Sequence, residues 1–293
     1  MIWPKLSIVI FANADPGACM RILTGCERLQ HENLELEVVM VLQGLTKKVE
    51  AVLKDYQFSF DLNFISADET TNRAKGRNLG VHAAKNEIIL FLESVLEVTP
   101  DLLYRHLEAY KTESIAAVMG EIYLPAFVKK NRWFRFLDSD YRSTRRWAAR
   151  TGSQSSPPLR YVNTANFSIR KKAFEAFGGY AEHIYHYEAE DIDLAHRISA
   201  QTQNQIHYEP EAIAYCLHNS LRNSLALKYE FGKEGIPKLL EAYPELYPVL
   251  PSRFVKMTGF PDVSPFYRGF MNLLFITPVF FLARGVRLFS PEF

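Results

Sequence analysis

Residues 87–92 read Glu87-Ile88-Ile89-Leu90-Phe91-Leu92, apolar at odd and even positions alike once past the first residue. A strand with one wet face alternates, whereas a run apolar on both parities belongs to a strand covered on both faces. The same texture recurs upstream in residues 6–11 (LSIVIF) and 36–42 (LEVVMVL), and in weaker, alternating form in 60–65. Helical patterns separate these runs, at 15–29, 46–56, 70–85 and 100–111, and a further strand follows at 115–123. Strand and helix alternating with short connections predict an α/β, Rossmann-like fold: a mostly parallel sheet flanked by helices on both faces. Ligands of such sheets bind beyond the carboxyl ends of the strands, so the chemistry is expected just after residues 11, 42, 65 and 92.

The second half has a different texture. Residues 129–150 are basic and aromatic, and 151–158 (TGSQSSPP) read as a loop. Strands are expected at 161–170, 205–208 and 212–217, and helices at 171–177 and 188–200. No internal repeat and no linker between independent domains is visible.

Thirty-four basic side chains against 33 acidic ones leave a net charge of +1, which gives no reason to expect nucleic acid as a partner. Cys19, Cys26 and Cys216 stand at neither metal-knuckle nor redox spacing. Their scatter suits a reducing compartment, and the first residues carry no secretory pattern, so a cytoplasmic location is expected. Residues 270–283 (FMNLLFITPVFFLA) lie between Arg268 and Arg284 and are short for a bilayer span. Two readings stand for them: a core or homodimer helix kinked at Pro278, or a segment lying in the membrane interface with Arg284 and Arg287 near lipid phosphates.

The most informative stretch is His186-Tyr187-Glu188-Ala189-Glu190-Asp191-Ile192-Asp193-Leu194, with four carboxylates at a helix start. Acids there complement the helix dipole, which by itself accounts for an acidic first turn. Leu194 and Ile198 anchor the inner face, and Asp191, three before Leu194, leans toward it. A carboxylate so placed can accept a proton from an attacking hydroxyl. Asp193 and Arg197, four apart, are spaced to pair on the helix surface.

In order and spacing, residues 5–235 resemble the inverting glycosyltransferase family 2, of the GT-A fold. The likeness rests on Ser7-Ile8-Val9-Ile10 ending at Asn13, Gly76-Arg77-Asn78-Leu79-Gly80, Asn86 to Leu92, Asn166, Ile169-Arg170-Lys171, Gly178-Gly179-Tyr180-Ala181-Glu182, Glu190-Asp191-Ile192-Asp193-Leu194, Arg197 and His218. The resemblance implies a GT-A domain over 1–235, with 1–125 as nucleotide-binding half and 126–235 as acceptor and catalytic half. A C-terminal helical, apolar extension follows over 236–293. It also implies a nucleotide-sugar donor, a glycan or glycolipid acceptor, and assembly at the inner face of the membrane.

By the same resemblance, Asp191 is the catalytic base and Glu190 orients the acceptor or tunes Asp191. Asn13, Gln43, Arg77, Asn78 and Glu93 face the donor, and Asn166, Trp133 and Asp193 face the acceptor. Glu93 and His218 are the ligands of a divalent metal, Mg²⁺ or Mn²⁺, if one is used.

Two departures from the family pattern matter. Its Asp-x-Asp is here Glu93-Ser94-Val95, and valine offers no oxygen to a hard cation. Its Asp-Asp-Gly-Ser after the second strand is here Leu42-Gln43-Gly44-Leu45, with both acids gone. These losses open a second reading, a degenerate transferase fold that binds a glycan or protein partner without turnover. A dinucleotide-dependent oxidoreductase is disfavoured, because residues 12–17 read Ala-Asn-Ala-Asp-Pro-Gly and hold no Gly-x-Gly-x-x-Gly. The basic, aromatic stretch 129–150 is either the solvated face of an amphipathic helix or a contact for an anionic acceptor or lipid headgroups. The loop after it is placed to act as a lid.

Overall fold

The computed structural model describes residues 4–13, 15–29, 34–44, 46–53, 56–138, 144–153, 157–201, 206–218 and 220–250. In chain order the first elements are β1 (Leu6–Asn13), α1 (Pro16–Glu27), β2 (Leu36–Gln43), α2 (Thr46–Leu53), β3 (Asp61–Ala67), α3 (Arg73–Ala83) and β4 (Ile88–Glu93). Then come β5 (Leu96–Val98), α4 (Leu102–Ala109), β6 (Ala117–Tyr123), α5 (Arg132–Leu137), α6 (Thr144–Thr151), β7 (Asn166–Arg170) and α7 (Lys171–Ala176). The last are α8 (Ala189–Gln201), β8 (Ile206–Cys216), α9 (Leu221–Glu230) and α10 (Ile236–Ala242), the final two joined by a π-helical turn over Phe231–Gly235.

The strands form one sheet in the order β3-β2-β1-β4-β7-β6-β8-β5. Strands β1 to β4, β6 and β8 share one direction; β7 runs antiparallel between β4 and β6, and β5 antiparallel to β8. Strand parity sorts the core into two layers. Ile8, Ile10, Val38, Met40 and Leu90 meet α1 and α4 on one face, through Ile22, Leu23, Leu103 and Leu107. Val9, Val39, Ile89 and Phe91 meet α3, α7 and α8 on the other, through Val81, Phe174, Leu194 and Ile198. This is the GT-A architecture expected from the sequence.

Three details differ from expectation. Residues 161–165 are not strand; β7 starts at Asn166. The two short strands expected over 205–217 are one strand, whose partners step from Glu209 to Ile213 opposite Gly120 and Glu121. Pro210, which lacks an N–H for the ladder, falls inside that bulge. The basic stretch is broken into a 3₁₀ turn (Val128–Lys130), α5 and α6 rather than one amphipathic helix.

Two contacts fix α3 against the sheet. A Cβ on Gly76 would lie 2.2 Å from the Phe11 ring, and one on Gly80 would lie 2.3 Å from Val9. Glycines one turn apart thus let the helix settle onto β1. At the other end, Ile184, Ala189 and Ile192 pack with Phe231, Ile236, Leu239, Leu240, Leu246 and Leu250. The division expected after residue 235 therefore falls inside a continuous helical run, and residues 236–250 belong to the packed body. Residues 251–293, with the apolar stretch 270–283, lie outside the described residues, as do 154–156 of the expected lid. Among the described residues, no helix is long and apolar enough to cross a membrane.

Candidate active site

Strand β4 delivers Glu93 to the carboxyl edge of the sheet, and α3 crosses above it with Arg73 and Arg77 one turn apart. The first turn of α8 brings in Glu190 and Asp191. These five side chains form one cluster. Arg77 is buried; its Nη1 donates to Thr164 Oγ1 at 3.0 Å and to Asp191 Oδ1 at 3.2 Å, and its Nη2 donates to Glu93 Oε1 at 3.3 Å. Arg73 Nη1 lies 3.2 Å from Glu93 Oε1 and 3.6 Å from Glu190 Oε1. The Thr164 hydroxyl donates to Asp191 Oδ1, so two donors from different elements fix that carboxylate oxygen.

Glu190 is wholly enclosed, and among the described residues neither carboxyl oxygen has a hydrogen-bond partner. Burial and then the charge of Asp191 push its carboxyl up to about 8, against the opposing pull of Arg73 and Arg77. Glu190 thus holds its proton more tightly than a free carboxyl does. Glu93 goes the other way: burial raises it, but Arg73, Arg77 and His218 together outweigh that and hold its carboxyl below the usual range. Neighbouring carboxyls driven apart in this way are characteristic of sites that handle protons.

Aromatic rings support the cations. Arg77 lies over Tyr180 at 5.2 Å and Arg73 over Tyr187 at 5.4 Å. Tyr180 is locked by Phe91 and Phe174, at 5.4 and 5.6 Å between centroids. The turn into α8 is strained, because Glu188 has φ +62°, a conformation uncommon for a non-glycine residue. Its carboxylate pairs with Lys228 of α9, and the Tyr187 amide donates to Glu230.

The remaining expected residues fall into two groups. Asn13 and Gln43 end adjacent strands in register, at the edge where a donor is expected, and the Asn13 side chain is exposed. Gln43 spends its amide nitrogen on the carbonyls of Glu69 and Thr71, leaving only its oxygen to face a ligand. His218 follows β8, with a buried Nε2 that lacks a partner. Trp133 donates to Ser224 Oγ at 3.2 Å, joining α5 to α9.

Three residues are corrected by their surroundings. Asn78 clamps the turn after α7: its amide donates to the Tyr180 carbonyl and Glu182, and its oxygen accepts from the Tyr180 amide, so it has nothing left for a donor. Asn166 is fully buried; its nitrogen donates to the carbonyls of Glu121 and Ala212, and its oxygen accepts from His106 Nε2. Asp193 is fully buried rather than on the helix surface, held by Arg197 at 2.5 Å and by the Tyr243 hydroxyl at 2.7 Å. Neither Asn166 nor Asp193 is open to an acceptor. Arg73, Thr164, Tyr180 and Tyr187 belong to the cluster and were not expected there. Arg73 alone had a signal, its four-residue spacing from Arg77 on a predicted helix.

Glu93 and His218 make a poor cradle for a divalent cation. Val95 supplies no oxygen, and Glu93 Oε1 already serves two guanidinium cations. Among the described residues, no group of three or more His, Cys, Asp and Glu is placed to hold a metal.

Comparison with known proteins agrees with the geometry. The family model Glycosyl transferase family 2 matches residues 20–178. The uncharacterized glycosyltransferase YfnE of Bacillus subtilis is 29% identical over 86 residues, which span 29% of this chain and 22% of that protein. Among solved structures, the mannosyltransferase PcManGT of Pyrobaculum calidifontis, in complex with GDP-Man and Mn²⁺, superposes with a TM-score of 0.64 at 13% identity. That match covers 99% of this chain and 82% of PcManGT. TarS 1–349 of S. aureus gives a TM-score of 0.59 at 13% identity, over 89% of this chain and 76% of TarS 1–349. With the family model spanning more than half of the sequence, the chain belongs to glycosyl transferase family 2 and has the GT-A fold.

Proposed function

We propose that this enzyme moves a sugar from a nucleoside-diphosphate donor to a hydroxyl of a glycan or glycolipid, with inversion at the anomeric carbon and Asp191 as general base. One observation carries the reading. Asp191 Oδ1, Arg77 and Glu93 form a continuous chain from the first turn of α8 to the carboxyl end of β4, which joins a proton acceptor to the donor edge of the sheet. GDP-Man bound to the similarly folded PcManGT supports a nucleoside-diphosphate donor.

In the reaction, the acceptor oxygen attacks the anomeric carbon while Asp191 takes its proton. The bond from that carbon to the diphosphate oxygen breaks, and the diphosphate departs with the electron pair. Thr164 and Arg77 orient the base, and burial, which favours the neutral form of Glu190, spares Asp191 a second buried charge beside it. The residues around Glu93 do not fit a divalent cation, and no step is assigned to one.

The acceptor side is read as α5, α9 and their surroundings. There Phe127, Phe136, Leu225 and Tyr229 are exposed beside Lys129, Lys130, Arg132 and Arg135. Basic and aromatic side chains together suit a glycolipid at the inner face of a membrane.

The test is transfer from a panel of nucleotide sugars by wild type and Asp191→Asn. The variant is expected to lose roughly 10²–10⁴-fold in rate, with melting temperature and donor affinity close to wild type. Retained turnover removes Asp191 from the role of base, and a product of unchanged anomeric configuration removes inversion.

A further inference from the structure

We propose that Arg73 binds the donor diphosphate directly, backed by the buried charge of Arg77, in the place a divalent cation takes beside an intact Asp-x-Asp, and that transfer here proceeds without a metal. This rests on reading the cleft as a nucleotide-sugar site.

The geometry supplies the argument. Both guanidiniums lie at the carboxyl edge of the sheet, 3.2 and 3.3 Å from the same oxygen of Glu93. A dication bound at Glu93 would sit against two fixed positive charges. The second acid of the motif is Val95, so the cation would also lack the ligand that offsets such repulsion. The diphosphate, in contrast, brings negative charge to guanidiniums, of which Arg73 shares its carboxylate Glu93 with Arg77.

Arg73 is built to receive it. The closest approach in both of its ion pairs is through Nη1. A guanidinium presents its donors in a fork that matches phosphate oxygens. The Arg73 side chain is 30% exposed, whereas that of Arg77 is 4% exposed. Arg73 is thus the reachable cation and Arg77 the fixed one behind it. His218 follows β8 with a buried Nε2 that has no partner among the described residues. As the anomeric carbon–oxygen bond breaks, the electron pair and its charge pass to the diphosphate, where Arg73, backed by Arg77, meets them.

The test measures binding of UDP, GDP, ADP, CDP and dTDP, and turnover of the corresponding nucleotide sugars, in EDTA and in Mn²⁺. Wild type, Arg73→Ala and Arg73→Lys are compared, with circular dichroism to confirm folding. Turnover in EDTA within about twofold of that in Mn²⁺ is expected, because guanidiniums carry the charge. Arg73→Ala is expected to weaken the diphosphate at least about tenfold while weakening the matching monophosphate less, and Arg73→Lys to recover part of the loss. Binding or turnover abolished by EDTA and restored by Mn²⁺ overturns the arginine assignment alone, as does wild-type diphosphate affinity in Arg73→Ala. No binding of any nucleotide in either buffer overturns the donor-site reading, and this inference falls with it.

Discussion

Two buried polar networks lie on either side of β7, and they are finished differently. Beneath the strand, Tyr110 and His106 meet Ser168 at 2.9 Å, His106 Nε2 meets the Asn166 oxygen at 2.9 Å, and the Asn166 nitrogen reaches two carbonyls. Because that nitrogen is the donor to carbonyls, the oxygen must accept, so His106 carries its proton on Nε2 and accepts from Ser168 on Nδ1. Every group is neutral and paired. Above the strand, the arginine and carboxylate cluster leaves Glu190 without a hydrogen bond and keeps Arg73 and Glu93 partly exposed. A closed network holds a fold together; an open one retains groups with unspent capacity, and here that network lies at the carboxyl edge of the sheet.

Three experiments probe the contrast. The largest effect belongs to the closed network: Asn166→Ala strands the His106 N–H and two carbonyls, and should cost about 3–5 kcal/mol in urea unfolding. The rate per folded molecule should stay unchanged; a rate loss without a stability loss would return Asn166 to the site.

Next is acid. Burial depresses His106 to about 4, from 6.5. The folded state then binds fewer protons than the unfolded chain, so stability present above pH 6.5 is lost as the pH falls through 4, by about 3 kcal/mol. His106→Gln should flatten that limb in denaturation curves taken at successive pH values.

The open network answers on the alkaline side instead. Because the folded pKa of Glu190 is raised, its contribution is intact below about 4.5 and is lost as pH rises through about 8. Glu190→Gln, an uncharged isostere, should match wild type near pH 5 and become the more stable protein by pH 9, as read from melting temperatures. Parallel curves would show that Glu190 does not titrate in this range.

Much of the fold was legible because burial writes itself into parity. Ile8 and Ile10 face one layer and Val9 the other, as an apolar run on both parities demands. The short β5 was not legible, since three residues carry no period. Nor was the reversal of β7, because strand direction leaves no mark on side-chain alternation. Glu190, Asp191, Arg77 and Glu93, grouped in the sequence reading only through the family resemblance, lie in one cluster. Asn78, Asn166 and Asp193 carry polar groups that looked available, but only coordinates show that Tyr180, His106 and Tyr243 already use them. Thr164 gave no cue, since its hydroxyl meets Asp191 only through the packing of α8 on the sheet.

The left-handed backbone at Glu188 ties catalysis to a lightly anchored part of the molecule. What restrains that turn is Lys228 and Glu230, on a helix that buries none of its own residues. Gentle heating should loosen this outer clasp first, letting the kink relax and the acids drift while the strands are still zipped. Activity should then vanish several degrees before the bulk circular dichroism signal, so that working temperature is set by one peripheral fastening and not by the sturdiness of the sheet.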